Sequence, residues 1–217
     1  MACRKIALAL LVTGLGLVAP AWGQAAGLVV RNAGVSQGFT IGAMYGRGRD
    51  SASAGTGKSD AVGARVQAGL GPIGVSVGIA RTWLGAGSAK IHRDEISATA
   101  ALTVFGGPLV PLKVSWQVGG SRALGGEQAW RGSVGIGAAL AIPAAVLSIR
   151  PWLAPRFDYL AHQTVRGSRI KPAVAAGIEF GLLNGLGLQV EYDSRLGWDS
   201  GSGSVPGIGI GISHHFR

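Results

Sequence analysis

The sequence predicts an all-β protein whose strands close into a transmembrane, antiparallel, up-and-down barrel of about ten strands. Three observations lead to this fold class. Apolar residues alternate with small or polar residues in successive segments of about ten residues, and a period of two is typical of β-strands. The connections between segments are alternately short and long, as in barrels that cross a membrane. Beyond the N-terminal segment, no run of about 18 apolar residues is present to form a membrane-spanning helix.

The N-terminal segment, residues 1–23, has the features of a cleaved secretory signal peptide. A basic pair precedes an apolar stretch, and the small residues Ala21 and Gly23 stand where a signal peptidase reads the chain. Cleavage leaves residues 24–217 as the barrel domain; the alternative is an uncleaved anchor. Cys3, the only cysteine, precedes the apolar stretch, so we expect the mature chain to have neither a disulfide nor thiol chemistry.

The amino-acid composition limits the classes of partner that the predicted barrel would bind. The chain carries a formal net charge of +10, which suggests an anionic partner. Its basic residues are spread over predicted loops instead of lying on one helix or stripe, so we expect no nucleic-acid partner. For an exported protein, lipopolysaccharide is the expected anionic partner.

The alternating segments give the expected strands in order. They cover 35–47, 61–70, 73–83, 95–105, 112–121, 130–142, 146–160, 172–182, 186–193 and a terminal strand through 208–216. In the third segment, for example, apolar Ile73 and Val75 alternate with Gly74 and Ser76.

The connections indicate which end of the barrel is which. The short ones, which include the Gly71-Pro72 turn and an Asn184-Gly185 hairpin signal, lie at 71–72, 106–111, 143–145 and 183–185. The longer, polar ones lie at 48–60, 84–94, 122–129, 161–171 and 194–204. Short periplasmic turns and longer extracellular loops are the pattern of outer-membrane barrels.

Two prolines make the strand count uncertain in one segment. Pro151 and Pro155 fall within 146–160, and a closed barrel has no edge strand to accommodate them. We expect a bulge there, or a strand that rises clear of the bilayer. Eight or twelve strands stay open as alternatives to ten.

The C-terminal stretch VPGIGIGISHHFR alternates apolar and small residues and places the aromatic Phe216 next to the end. An exported chain with such a strand resembles the small Gram-negative outer-membrane β-barrel proteins of the OmpA/OmpX-like class. Their terminal aromatic is read by the barrel-assembly machinery, which the resemblance implies as a partner together with periplasmic chaperones. Arg217 follows the aromatic here, whereas the class usually ends on it.

A soluble sandwich or lipocalin-like barrel is the rival interpretation. Its apolar face would point inward and its polar face would meet water. The second face of these segments is rich in Gly, Ala, Ser and Thr and poor in charge, which favours the membrane barrel.

Aromatic residues are expected at both membrane interfaces. Strand parity turns them outward, near the loop end for most and near the turn end for two phenylalanines. These interfacial aromatics are Tyr45, Trp83, Trp130, Tyr159, Tyr192, Phe180 and Phe216.

The stretch ASAGTGKS at 52–59 satisfies a loose nucleotide-binding pattern. A P-loop needs a strand before it and a helix after it, so that helix amides hold the phosphates. The segment after Ser59 alternates as a strand does. We therefore expect a surface loop, with no nucleotide and no other cofactor.

The same parity turns a balanced set of charges into the lumen. The set comprises Arg65, Lys113, Arg150, Arg156, Asp158, Glu179, Glu191 and Asp193. Because charges in a narrow lumen must be paired, we expect Arg150 to pair with Glu179, and Arg156 with Asp193 or Glu191. The favoured outcome is a polar plug that fills the barrel; a narrow water path lined by glycines is the alternative.

Catalysis and metal binding have weak support. Asp158 with His162 is one of the nearest approximations to an Asp-His pair, and neither a nucleophile with its base nor zinc-ligand spacing is present. His214 and His215 point to opposite faces, which argues against one metal site. A hydrolase is kept as an alternative, although we expect no enzyme.

The leading functional hypothesis is an integral outer-membrane barrel with a structural or surface-interaction role, surrounded by outer-membrane lipids. A narrow, porin-like channel for small solutes is the second hypothesis. Basic residues of the predicted loops would contact lipopolysaccharide phosphates, namely Arg47, Arg49, Lys58, Lys90, Arg93, Arg122, Arg166, Arg169 and Lys171.

Overall fold

The computed structural model describes residues 38–49, 58–84, 91–106, 110–124, 129–143, 147–162, 165–182, 184–196 and 204–216. The predicted signal peptide lies outside these residues, and so does most of the ASAGTGKS stretch. Among the described residues, no helix has the length and apolarity needed to cross a membrane.

Every regular element among these described residues is a β-strand. In chain order the strands are β1 (Gly38–Arg49), β2 (Lys58–Leu70), β3 (Ile73–Leu84), β4 (Ile91–Phe105), β5 (Leu112–Leu124), β6 (Ala129–Leu140), β7 (Ile142–Pro143), β8 (Leu147–His162), β9 (Val165–Leu182), β10 (Leu186–Leu196) and β11 (Ser204–Phe216).

The sheet closes on itself. All pairings are antiparallel, consecutive strands pair except that β6 pairs with β8 across the short β7, and β1 pairs with β11 through partners such as Thr40 and His215. The strand β7 has two residues and pairs with β8, while β6 also pairs with β8. The predicted up-and-down barrel of ten long strands is therefore confirmed, with β7 as a short addition.

The two faces of the sheet have opposite chemistry. On β3, Val75 and Ile79 are 50% and 60% exposed, whereas Gly74 and Gly78, which directly precede them, are buried. Exposed large hydrophobic side chains cover the outside on nearly every strand, and buried polar and charged side chains fill the inside. The arrangement is the reverse of a soluble barrel, so the lipocalin-like interpretation is wrong.

Short connections define one end of the barrel, here called the turn end; the opposite end is called the loop end. Gly71 at φ 59° and Gly185 at φ 86° occupy the left-handed region that side chains disfavour. At the second turn, the Leu186 amide donates to Asn184 Oδ1 over 3.1 Å. Both turns agree with the sequence-based expectation.

The strands extend further towards the loop end than the alternation of apolar residues predicted. β8 ends at His162 and β9 begins at Val165. The loop expected at 161–171 therefore lies almost entirely within these two strands. Backbone pairing continues there because each polar segment still has a hydrogen-bonding neighbour, whereas the apolar pattern ends where lipid contact would end.

The prolines of β8 produce no bulge. Their partners Ile178 and Val174 on β9 are in uninterrupted register, and on the other side β6 and then β7 keep one register with β8 across both prolines. On the β6 side, the ladder lacks pairs opposite Pro151, Ala154 and Pro155. The two prolines have the same parity, so both missing N–H donors face one neighbour, and the expected bulge is wrong.

Lys58 and Ser59, the end of the ASAGTGKS stretch, begin β2. A strand follows the motif where a P-loop would need a helix, in agreement with the expectation.

Candidate functional site

The barrel interior holds two groups of polar side chains, one at each end. The loop-end cluster consists of Arg156, Asp158, Asp193 and Arg195. The turn-end cluster consists of Thr40, Arg150, Glu179 and His215.

The loop-end cluster is assembled from two strands that flank β9. Arg156 and Asp158 share the inner face of β8, while Asp193 and Arg195 share that of β10. Between them β9 presents Ala173, whose cross-strand partners are Arg156 and Arg195. Because Ala173 is small and buried, the long side chains of the two outer strands meet over it.

Charges alternate within this cluster. Arg156 Nε lies 2.9 Å from Asp158 Oδ1, and Arg156 Nη2 lies 2.7 Å from Asp193 Oδ1. On the other side, Arg195 Nε lies 3.6 Å from Asp193 Oδ2 and 4.0 Å from Asp158 Oδ2. The exposed fractions of these side chains are 0% for Arg156, 6% for Asp158 and Arg195, and 7% for Asp193. Two guanidiniums and two carboxylates thus neutralise one another away from water, as buried charges require.

More charged side chains adjoin the loop-end cluster. Ser121 donates a hydrogen bond to Glu95, and Arg131 is within electrostatic reach of Arg195 and Glu95. The sequence analysis missed Arg195, Glu95 and Arg131 because they fall in or beside predicted loops. The signal was parity: Arg195 continues the inward series of Glu191 and Asp193.

The turn-end cluster centres on an imidazole. His215 Nε2 lies 2.9 Å from Glu179 Oε1, and Thr40 Oγ1 lies 2.9 Å from His215 Nδ1. Arg150 Nη1 lies 3.6 Å from the same oxygen of Glu179. Thr40 and His215 meet because β1 and β11 close the barrel, and the sequence analysis did not assign either residue a role.

Water reaches the turn-end cluster more readily. The side chains of Arg150 and His215 are 25% and 19% exposed, although that of Glu179 is 1% exposed. A carboxylate therefore lies beneath two partially hydrated basic groups.

The other predicted lumen residues lie between or beside the clusters. Arg65 Nη2 donates to Gln189 Oε1 over 2.6 Å, a partner that the sequence analysis did not propose. Glu191 is buried and Lys113 is half-buried at the turn end, and both have interaction partners. Arg156 contacts Asp193, one of the two carboxylates proposed for it.

The predicted interfacial aromatics lie on the outer face. Tyr45, Tyr192 and Phe216 are exposed, and the remaining ones are half-buried; these are Trp83, Trp130, Tyr159 and Phe180. At the loop end the rings of Trp130 and Tyr159 contact each other, with centroids 4.9 Å apart.

The basic residues expected in surface loops lie in strands, except Lys90, which is outside the described residues. Among those whose side chains are described, two face the interior. Arg93 shares the inner face of β4 with Glu95, and Lys171 shares that of β9 with Ala173. Neither position suits a contact with lipid phosphates outside the barrel. Arg122, in contrast, is exposed on the outer face of β5.

The hydrolase candidates do not form a catalytic group among the described side chains. Asp158 is engaged by Arg156, and the side chain of His162 lies outside the described part of the chain. Within the described ranges, no cluster of three or more His, Cys, Asp or Glu residues could hold a metal ion.

Comparison with known proteins supports the fold. No protein-family model and no curated protein sequence matches the chain. The β domain of the Bordetella autotransporter BrkA is similar, with a TM-score of 0.55 and 13% identity, covering 83% of this chain and 100% of that one. LpxR from Salmonella typhimurium is also similar, with a TM-score of 0.50 and 8% identity, covering 82% of this chain and 99% of that one.

At these identities the likeness shows the fold alone. The chain has the fold of outer-membrane β-barrels, and the resemblance inferred from its terminal strand is confirmed at that level. A fold shared at low identity assigns no activity.

Proposed function

We propose that this protein is an integral outer-membrane barrel with a closed lumen and a structural or surface-interaction role. The observation that carries the proposal is the loop-end cluster, whose ion-paired side chains occupy the interior and are almost fully removed from water. An ion moving along the barrel axis would have to displace them.

The outer face supports a membrane location. Large apolar side chains such as Ile79, Ile212 and Leu188 are at least half exposed around the barrel. A continuous apolar surface of this extent is unfavourable in water and favourable in lipid. The predicted signal peptide, periplasmic chaperones and barrel-assembly machinery belong to the same proposal as the route to that location.

The loops at the loop end would then face the outside of the cell. Exposed Arg47 and Arg122 lie near that end on the outer face. Lipopolysaccharide phosphates at the same level are the proposed partners, because they are anionic and accept charge-assisted hydrogen bonds from guanidinium groups.

Single-channel recording in planar bilayers tests the closed lumen. Folding is checked first on a detergent gel, where different migration of unboiled and boiled samples indicates a folded barrel. We expect no stepwise conductance from wild-type protein that passes this check. A variant in which all loop-end cluster residues are replaced by serine should conduct in steps, because the side chains that fill the interior are gone.

The matched control removes the same number and sign of charges from the outer face. It replaces Arg47, Asp60, Arg81 and Asp94, which form two exposed ion pairs, by serine. This variant should stay closed. Stepwise conductance from the wild type would instead establish the narrow channel, the second hypothesis, and would overturn the closed lumen even if the serine variant does not fold.

A further inference from the structure

An open groove of about 750 Å³ lies in the outer wall of the barrel, across β3 to β6, β8 and β9. Its floor consists of Ala98, Gly120 and Gly132 on three adjacent strands. These residues are direct cross-strand partners, Ala98 with Gly120 and Gly120 with Gly132. Three small residues side by side leave a depression in a wall that is otherwise covered by larger apolar side chains.

The walls of the groove are apolar and point away from the interior. Val77 flanks the floor on β3 as the partner of Ala98, and Tyr159 flanks it on β8 as the partner of Gly132. Towards the turn end, the wall continues through Val134 and Phe157, which are 50% and 57% exposed. The groove is therefore shaped for an apolar chain lying on the outside of the barrel.

A cation marks the loop-side end of the groove. Arg122 follows Gly120 by two positions on the same face of β5, which places it about 7 Å further towards the loops. Its cross-strand partner Trp130 contacts Tyr159, so an aromatic side chain adjoins the groove wall at the strand level of Arg122.

Arg122 is available to a ligand. The outer-face carboxylates of Asp60 and Asp94 are engaged by Arg47 and Arg81, over 3.4 Å and 2.6 Å. Among the residues that the structure describes, none forms a salt bridge with Arg122. An exposed cation above an apolar groove is complementary to one class of molecule, a lipid whose head group carries phosphate.

We propose that the groove binds an acyl chain of a phosphorylated lipid of the loop-side leaflet, with a head-group phosphate on Arg122. This inference rests on the proposed outer-membrane location. In that location the loop-side lipid is lipopolysaccharide, whose lipid A part combines phosphate with acyl chains. The inference thus specifies where on the barrel wall lipopolysaccharide would bind.

Groove filling provides the first test. A Cβ added at Gly132 meets no atom within 4 Å, so Gly132→Leu fills the groove without displacing the barrel. Bisphosphorylated lipid A is titrated into the purified, full mature chain in detergent, and bound lipid is counted by native mass spectrometry. We expect Gly132→Leu to weaken binding by about tenfold or more, because excluding about two methylene groups from the groove already corresponds to that factor.

The matched control is Ala64→Leu, which enlarges an exposed small residue on the outer face of β2, away from the groove. It should bind lipid A as the wild type does. Equal binding by wild type and Gly132→Leu would overturn the proposal.

Charge removal provides the second test. We expect Arg122→Gln to weaken lipid A binding by about fivefold and to reduce its salt dependence, because one partly solvated phosphate contact is lost. Dephosphorylated lipid A should bind the wild type and Arg122→Gln equally. Arg81→Gln, which also removes an outer-face arginine near the loop end, serves as the control and should bind as the wild type does.

Other occupants give different results. If inorganic phosphate competes as strongly as lipid A does, the site binds an anion without an acyl chain. If the wild type forms a dimer that Gly132→Leu loses, a second copy of the chain occupies the groove. Either result overturns the proposal. If every variant keeps its gel shift between unboiled and boiled samples, a failure of lipid binding concerns the groove alone. The proposed barrel and its location would be unaffected.

Discussion

The two ends of the barrel interior hold similar kinds of residues in different surroundings. At the loop end, Arg156, Asp158, Asp193 and Arg195 pair opposite charges, and their side chains are no more than 7% exposed. At the turn end, Glu179 faces Arg150 and His215, which water still reaches. Full charge compensation is needed only where water is excluded, because hydration at the turn end can replace a missing partner.

The largest expected effect comes from the centre of the loop-end cluster. Arg156→Met keeps much of the side-chain volume but removes the guanidinium that contacts the carboxylates of both Asp158 and Asp193. We expect a loss of about 3–5 kcal/mol in the free energy of unfolding, since breaking a buried ion pair leaves an uncompensated charge. Urea unfolding in lipid vesicles, followed by tryptophan fluorescence, measures it.

The exposed ion pair of Arg81 and Asp94 is the control for this change. Its two atoms are 2.6 Å apart, closer than either contact of Arg156. Arg81→Met should nevertheless leave the unfolding curve nearly unchanged, because water and salt screen exposed pairs. Equal losses for the two variants would show that the loop-end cluster is hydrated.

A packed layer separates the two clusters and predicts the next effect. Trp152 lies on the inner face of β8 between Arg150 and Arg156, and its ring covers Gly177. A Cβ at Gly177 would lie 2.7 Å from the indole ring and 2.7 Å from the Val190 carbonyl oxygen. We expect Gly177→Ala to cost about 1–3 kcal/mol in the same unfolding measurement, as overpacking does.

Gly132→Ala is the matched control for Gly177→Ala, because its Cβ meets no atom within 4 Å. It should leave the unfolding curve close to that of the wild type. If the two alanine variants unfold alike, Trp152 is free to move aside, and no rigid layer separates the two ends.

Strand parity predicted much of this interior, because a side chain's face follows from its position along a strand. It turned Arg156, Asp158 and Glu179 inward before any pairing was known. The same parity would turn Arg195 and Glu95 inward, but neither was assigned to the lumen, because Arg195 lies beyond the predicted segment 186–193 and Glu95 at the first position of 95–105. The apolar pattern reports where lipid would cover the outside and not where backbone pairing ends.

Contacts that depend on closure of the barrel could not be predicted from the sequence. Thr40 meets His215 only because the first and last strands pair, and Arg65 reaches Gln189 on β10 although β1 and β11 lie between their strands. The groove proposed to bind lipid likewise needs the registers that place Gly120 opposite both Ala98 and Gly132. Small residues at single positions carry no such information on their own.

The smallest expected effect comes from a substitution in the turn-end cluster, which water reaches. Glu179→Gln removes the charge but keeps an oxygen that accepts from His215 Nε2, now 2.9 Å away. Arg150, left without its carboxylate, is 25% exposed and can be solvated. We expect a loss of about 1 kcal/mol, the value of one weakened hydrogen bond, in the unfolding measurement.

Asp193→Asn is the same chemical change made in the loop-end cluster, where the carboxylate contacts Arg156 over 2.7 Å and Arg195 over 3.6 Å. Neither guanidinium is accessible to water, so the loss should reach about 3 kcal/mol. The difference between the two amide variants measures how much hydration contributes at the turn end. Equal losses would mean that water does not compensate Arg150, and the contrast between the two ends would then be one of geometry alone.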